Sequence, residues 1–460
     1  MTLWIDIDDL LHHLLHHSRP SGIQRVVFEI GSALRNLAGH NVQFVRRGPG
    51  ATDARDFRTV DWTMVETVFR EATNSSIKPG SSSVNAPPLT VQALEQVAPE
   101  DTLSAFLRTE SRILKGLASL PRTFARLGLK SLQTRLDARR SRRPELPTFS
   151  EGTQLADVAR PGDVFLTLGS PWHHASYSQT VRWLRDDLRL SYALLMYDLV
   201  PIRCPEWCNR GIITTFRAWH QDILPLADTL FAISHATAKD VRAYLAEQDI
   251  GTDIPVYPIP LGTGFGLSDG RMSAEALVHE PYVLFVSTIE ARKNHALLFR
   301  VWRRMLEEMP AERVPTLVFA GREGWLVSDF MQQLENADWL NGKIRFIQNP
   351  TDEELRRLYA DCSFTVFPSF FEGWGLPVTE SLSMGRPCVV SNTTSIPEAG
   401  GPLGRYFSPY SLDEAYRVIR ETIEDPEGLA AWTAKVRAEF RPVPWEDSAR
   451  AILDLSLIHI

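Results

Sequence analysis

A chain of 460 residues, 44% hydrophobic and 23% charged, has the make-up of an ordinary globular protein of two or three domains. Its formal net charge of −7 argues against a nucleic-acid binder as a whole, and no apolar run of 18 or more residues predicts a membrane-spanning helix. The N-terminus, MTLWIDIDDLL, lacks a basic n-region, so no secretory signal is expected, and four cysteines in so long a chain read as the reduced thiols of a cytosolic protein.

From the N-terminus, Leu3–Ile7 alternates as a short strand, and Ile23, Val26, Val27, Ile30 and Leu34 predict a helix opened by Ser21-Gly22. Gly22 therefore stands at a helix N-terminus just after the first β-segment, where it either borders a ligand or serves only as a turn. Arg25 follows on the same helix. Between them, LHHLLHHS pairs His12 with His16 and His13 with His17 at four-residue spacing, which would share a helix face. No further ligands stand nearby, so a packed or surface histidine cluster is expected and no metal site is assigned.

Residues 50–100 are polar and rich in Ser, Thr, Pro and Asn, and read as an insertion with at least one flexible loop. Arg108 to Arg143 then carries eleven Lys/Arg against Glu110 and Asp137, with Leu117, Leu120, Phe124 and Leu127 at helical spacing. Such a basic amphipathic segment, spanning about 105–145, either makes peripheral contact with an anionic membrane or is a solvated helix packed on its domain.

Alternation resumes in PGDVFLTLGSPWHH, a strand whose following loop carries Trp172, His173 and His174. SYALLMYDLVP is a strand ending at Tyr197-Asp198, TLFAISHATAKDV one ending at Ser234, and VYPIPLGTGF a last one leading to a glycine turn. Polar residues at successive strand ends are the pattern of a binding cleft along one edge of a parallel sheet. Asp198 there is either a turn aspartate or a group of that cleft.

PYVLFVSTIEARKNHALLFRVWRRM reads as strand, loop and helix, with Arg292, Lys293 and Asn294 near the helix start. Two cations there oppose the helix macrodipole unless an anion lies between, which hints at phosphate binding; a solvated basic turn is the bland alternative. TLVFAGREGW runs a strand into a turn at Gly321, whose missing side chain permits close backbone approach. Thr351 with Glu354 three residues on is a capping box. Phe364–Phe367 is the next strand, followed by a loop with Glu372, Gly373, Trp374 and Gly375. Pro377 then suits the start of a helix that carries Glu380 in its first turn, and Pro387–Val390 is a further strand. Loops at strand C-termini bind ligands in open α/β sheets, and helix N-termini offer N–H groups to anions. A ligand with a phosphate and neighbouring hydroxyls would meet both donors and carboxylates here. Alternatively, Glu380 only offsets the macrodipole and Glu372 is solvated.

FEGWGLPVTESLSMGRPCVVS, in which seven residues separate two glutamates, is followed by IPEAGG and resembles the signature of the retaining nucleotide-sugar glycosyltransferases of family 4. EARKN resembles that family's donor-diphosphate motif. The resemblance is strong over 275–450, moderate over 1–45 and 160–265, and absent over 50–150. It implies the α/β GT-B fold, two Rossmann-like domains facing a central cleft. Residues 1–265 would be the acceptor domain, with the insertion at about 50–150; residues 275–440 the donor domain; and 441–460 a helix crossing back to the first. It implies catalytic roles for Glu372 on the donor sugar and for Arg292 and Lys293 on the diphosphate. Glu380 would bind the ribose, with Gly373, Gly375, Gly321 and Glu398 around the donor. Gly22 and Asp198 would face the acceptor. The family's usual His-Asp pair reads Tyr197-Asp198 here, with His173 or His174 as candidate substitutes.

The implied reaction moves a sugar, mannose or rhamnose, from a nucleoside-diphosphate sugar to a glycan or lipid-linked oligosaccharide in surface-polysaccharide assembly (O-antigen or capsule). No cofactor, metal or nucleic-acid partner is implied, and the setting is cytoplasmic. A sugar-nucleotide epimerase or hydrolase of the same fold, and a non-catalytic nucleotide-sugar-binding scaffold at the membrane, are the alternatives. No strand–GxGxxG–helix fingerprint stands in the first half, which argues against a dehydrogenase.

Overall fold

Short apolar runs buried on both faces make the central strands of the two sheets, as expected of parallel strands covered by helices. The computed structural model describes residues 1–16, 21–48, 53–74, 152–174, 176–251, 253–264, 272–273 and 275–458. In the first half the strands are β1 (Leu3–Asp6), β2 (Val42–Arg47), β3 (Phe57–Val60), β4 (Val164–Thr167), β5 (Ser191–Met196), β6 (Thr229–Ala232) and β7 (Val256–Pro258). They lie in the order β3-β2-β1-β4-β5-β6-β7, parallel except for the antiparallel edge pair β2–β3. The second half contributes β8 (Tyr282–Val286), β9 (Thr316–Gly321), β10 (Ile344–Gln348), β11 (Phe364–Phe367), β12 (Cys388–Ser391) and β13 (Gly404–Phe407). Their order, β10-β9-β8-β11-β12-β13, is wholly parallel.

Each sheet reverses its strand order once, between β1 and β4 and between β8 and β11. Loops diverge at such switch points and leave a crevice at the strand C-termini. This is the doubly Rossmann-like arrangement anticipated from the sequence. The final helix, Trp445–Ile458, packs on the helix Gly22–Ala38 of the first half. It is tied there by Ser448 Oγ, which donates to Pro260 O at 2.6 Å, and the strap before it by Thr263 N donating to Val443 O at 2.8 Å.

One expectation is corrected. Residues 53–74 belong to the first domain and are not part of a flexible insertion. β3 pairs with β2, and the helix Trp62–Asn74 stacks Trp62 on Phe44 at 4.0 Å between ring centroids. Phe57, Trp62, Val65, Val68 and Phe69 are all buried, enough apolar surface to anchor the segment despite its polar surroundings. Residues 75–151, and with them the basic stretch 105–145, lie outside the described residues, as does His17; of His16 only the backbone is described.

Candidate active site

The β8/β11 switch point builds the site from two loops that lock together. After β8 the chain makes a 3-10 turn, Ala291–Lys293, then passes through Asn294 in the left-handed conformation (φ 61) to start the helix His295–Glu308. Asparagine tolerates that region better than most residues, and its short amide reaches nearby carbonyls. Asn294 Nδ2 donates to Pro368 O at 3.2 Å and Pro409 O at 3.0 Å, and Phe370 N donates to Arg292 O at 3.1 Å. The loop after β11 is pinned from its other side. Glu372 N donates to Thr394 Oγ1 at 3.0 Å, while Ser395 Oγ donates to Glu372 O at 2.9 Å and Trp374 O at 2.8 Å.

These ties bring three charges together. Glu372 Oε2 lies 2.8 Å from Arg292 Nη1, and Oε1 lies 2.6 Å from Lys293 Nζ. Arg292 Nη2 reaches Glu290 Oε1 at 2.9 Å. Burial alone would raise the Glu372 carboxyl, but Arg292 and Lys293 overcome it and bring it down to about 2. Burial likewise opposes the charge on Arg292, and Glu372, Glu290 and Asp198 more than restore it. Glu372 and Arg292 are thus charged at neutral pH, and each cation of the cluster is held by a carboxylate.

Around this cluster opens a cavity of about 560 Å³, lined from both halves of the chain. Gly22, Arg25, Asp198, Arg292, Lys293, Gly321, Glu372, Gly373, Gly375 and Glu380 all face it. Gly375 (φ 121) turns the chain into the helix Leu376–Ser383, with Pro377 in its first turn. Helicity begins at Leu376, so Glu380 sits in the second turn rather than the first. It is buried and accepts a hydrogen bond from Tyr359 Oη at 2.9 Å. Burial raises its carboxyl, against the pull of Arg25 and the Tyr359 bond. Gly321 (φ 157) has a packing reason, since a Cβ there would stand 2.0 Å from Ser287 O. At Gly373 a Cβ would stand 2.0 Å from Tyr197 O, which belongs to the other half.

Two sequence-based assignments change, those of Glu398 and His174. Glu398 does not line the cavity; its carboxylate accepts from His235 N at 2.8 Å and Ala236 N at 2.7 Å, capping the helix His235–Glu247 across the domain boundary. Its spacing after β12 resembled a donor residue, but a free helix N-terminus opposite is a stronger claim on a carboxylate. His174 is held by Asp8, Nε2 to Oδ2 at 3.1 Å, away from the cavity lining, and of His173 only the backbone is described. Tyr197 turns its hydroxyl back to Leu168 O at 2.8 Å, so it anchors the loop after β4. Asp198 Oδ1 accepts from Val200 N at 3.0 Å as a turn aspartate does, yet it also lines the cavity opposite Arg292.

A second cavity, of about 180 Å³, adjoins the first. The two share Ile23, Tyr197, Asp198, Arg292 and Trp325 as walls. It is apolar and aromatic, with Trp172, Trp207, Phe216 and Trp219 around it. Sequence reasoning missed this cavity. Trp207, in the stretch Pro205-Glu206-Trp207-Cys208 after a strand end, was the available signal.

Residues 272–439 match the model for glycosyl transferases group 1. The matched segment carries the Arg292–Lys293–Glu372 cluster and Glu380. The chain is 29% identical over 276 residues to the serotype-specific mannosyltransferase WbdA of Escherichia coli, an alignment covering 56% of this chain and 32% of that protein. It is 34% identical over 171 residues to the O-antigen chain mannosyltransferase B of Escherichia coli, covering 37% of this chain and 44% of that one. The chain thus aligns with less than half the length of either relative. Among solved structures, Anabaena Alr3699/HepE in complex with UDP superposes with a TM-score of 0.56 at 14% identity, covering all of both chains. A Burkholderia xenovorans trehalose-phosphate synthase gives 0.50 at 12% identity, over 66% of this chain and 76% of that one. The fold that these share with the present chain is GT-B.

Proposed function

We propose that the protein is a retaining glycosyltransferase that moves a hexose from a nucleoside diphosphate to a glycan or lipid-linked acceptor. The observation that carries this reading is the pairing of Arg292 and Lys293 with the two oxygens of Glu372 at the floor of the cavity. Both cations are positioned and charged, and an incoming diphosphate competes for them directly. Once it takes them, the carboxylate of Glu372 is released to accept from hydroxyls of the donor sugar. Glu380, one helix turn beyond Gly375, is placed for the ribose.

The chemistry then needs few further groups. The bond from the anomeric carbon to the diphosphate breaks, and its electron pair leaves on a phosphate oxygen whose charge Arg292 and Lys293 stabilise. The acceptor oxygen forms the new bond from the leaving-group side, and its proton passes to the departing phosphate. Asp198, at the junction of the two cavities, holds that acceptor hydroxyl in place. A mannosyl donor and a surface-polysaccharide acceptor are favoured by the relatives, two of which are named as mannosyltransferases.

The test begins with melting curves in GDP, UDP and dTDP and their sugars, followed by a nucleotide-release assay with and without acceptor. A nucleotide-specific rise in melting temperature together with acceptor-dependent release supports transfer. Release that ignores the acceptor points to a hydrolase, and no shift with any nucleotide removes the reading.

A further inference from the structure

Among the described residues seven large hydrophobic side chains are exposed, and of these Trp325 lines the apolar cavity, Leu326 follows it in the chain, and Tyr410 is linked through Phe370 to the cavity wall Trp207. Trp325 is 41% exposed, Leu326 56% and Tyr410 71%. Exposed apolar groups gathered at one place mark a binding surface more often than those scattered singly. Their setting is also built. Tyr410 packs tilted against Phe370, at 5.1 Å between centroids and 35° between planes, and Phe370 stacks on Trp207 at 4.9 Å and 9°. Trp207 is a wall of the apolar cavity. A chain of aromatic contacts therefore runs from the cavity wall Trp207 through Phe370 to the exposed ring of Tyr410.

Trp325 is fixed by its indole N–H, which donates to Trp207 O at 3.2 Å across the two halves. Leu326 is kept in the left-handed region (φ 57), a conformation costly for a leucine and one that directs it outward. Inside the cavity, Trp219 Nε1 is buried and has no hydrogen-bond partner, and burial holds His220 down at about 4, so that side chain is neutral. The cavity thus suits one sugar's apolar face with an oxygen for the indole N–H, and its volume of about 180 Å³ leaves no room for a second.

We propose that Tyr410, Leu326 and Trp325 form an outer acceptor subsite that binds the penultimate sugar of an oligosaccharide whose terminal sugar fills the apolar cavity. This rests on the glycosyltransferase reading and narrows its acceptor to a chain of at least two sugars. The apolar C–H face of a pyranose packs on an exposed, pre-positioned aromatic ring at little ordering cost. The place is continuous with Asp198 and Arg292, where the acceptor hydroxyl would meet the donor.

Isothermal titration with a mannose monosaccharide, disaccharide and trisaccharide, each in saturating nucleoside diphosphate, reads this subsite without catalysis. The wild type is expected to bind the disaccharide about three- to tenfold more tightly than the monosaccharide. Tyr410→Ala abolishes that advantage and leaves monosaccharide binding unchanged, while Tyr410→Phe retains it. Tyr410 is exposed, so the variant folds, and the nucleotide-induced melting shift verifies this in the same sample. Equal affinity for the three saccharides, or a disaccharide advantage that survives Tyr410→Ala, overturns the proposal. A missing nucleotide shift instead defeats the underlying transferase reading.

Discussion

Replacing Glu372 by Gln separates the stability of the site from its chemistry. A buried carboxyl brought from 4.5 to about 2 by Arg292 and Lys293 corresponds to about 3 kcal/mol of folding free energy at neutral pH. Because the folded value is the lower one, this contribution is present above pH 4.5 and is lost as pH falls from there toward 2. Glu372→Gln removes it and leaves two inward cations with one carboxylate fewer, Arg292 keeping Glu290. The apo variant should therefore melt several degrees lower at pH 7, and the gap should narrow below pH 4.5. Added nucleoside diphosphate should reverse the order of effects. In the wild type the diphosphate must displace Glu372 from its two cations, whereas in the variant nothing competes. The nucleotide should bind Glu372→Gln more tightly, by about tenfold, while transfer falls by about 100-fold or more because the amide replaces one of the two accepting oxygens by a donor and removes the negative charge facing the donor sugar. Differential scanning fluorimetry and titration calorimetry measure the first two, a coupled release assay the third. A variant with unchanged melting and weaker nucleotide binding would show that the diphosphate does not go to Arg292 and Lys293.

Other positions give separable outcomes. Glu380→Gln should leave stability unchanged or improved at pH 7, because burial raises this carboxyl and its charged form is disfavoured in the fold as pH rises, yet nucleotide affinity should fall about tenfold; calorimetry reads both. Glu398→Ala should cost about 1 kcal/mol in thermal or urea unfolding through the lost helix cap, with nucleotide affinity unaltered; weakened nucleotide binding would return Glu398 to the donor site. Gly373→Ala would place a Cβ 2.0 Å from Tyr197 O, so the two halves must move apart. Small-angle scattering should show a larger particle and transfer should drop about tenfold or more; an unchanged scattering profile would contradict the contact.

Much of the second half could be read directly because its central strands, β11 and β12 among them, are buried on both faces and so appear as uninterrupted apolar runs between turn signals. Phe364–Phe367 and Cys388–Ser391 stand within a residue of their expected places. The capping box at Thr351 and Glu354 forms as its spacing demands. Glu380 falls in the second turn rather than the first because the positive φ of Gly375 starts the helix one residue earlier than expected, at Leu376. β3 and its following helix were hidden because their apolar positions are diluted by charged and hydroxyl residues, and only tertiary packing on Phe28 and Phe44 reveals them. Contacts between the halves were out of reach for local pattern. Glu398 meets backbone groups 162 and 163 residues away, and Arg25 pairs with Asp352 at 2.9 Å across 327 residues. The aromatic cavity is of the same kind, assembled from loops that no period connects.

The central claim is that Arg292 and Lys293 receive the diphosphate of a sugar donor. The most direct measurement is acceptor-dependent release of GDP from GDP-mannose, or of the diphosphate that the melting panel selects, by wild type and by Lys293→Ala. Release that depends on the acceptor in the wild type and falls about 100-fold or more in Lys293→Ala is the predicted result. Release that is intact in Lys293→Ala, or that never depends on the acceptor, would contradict it.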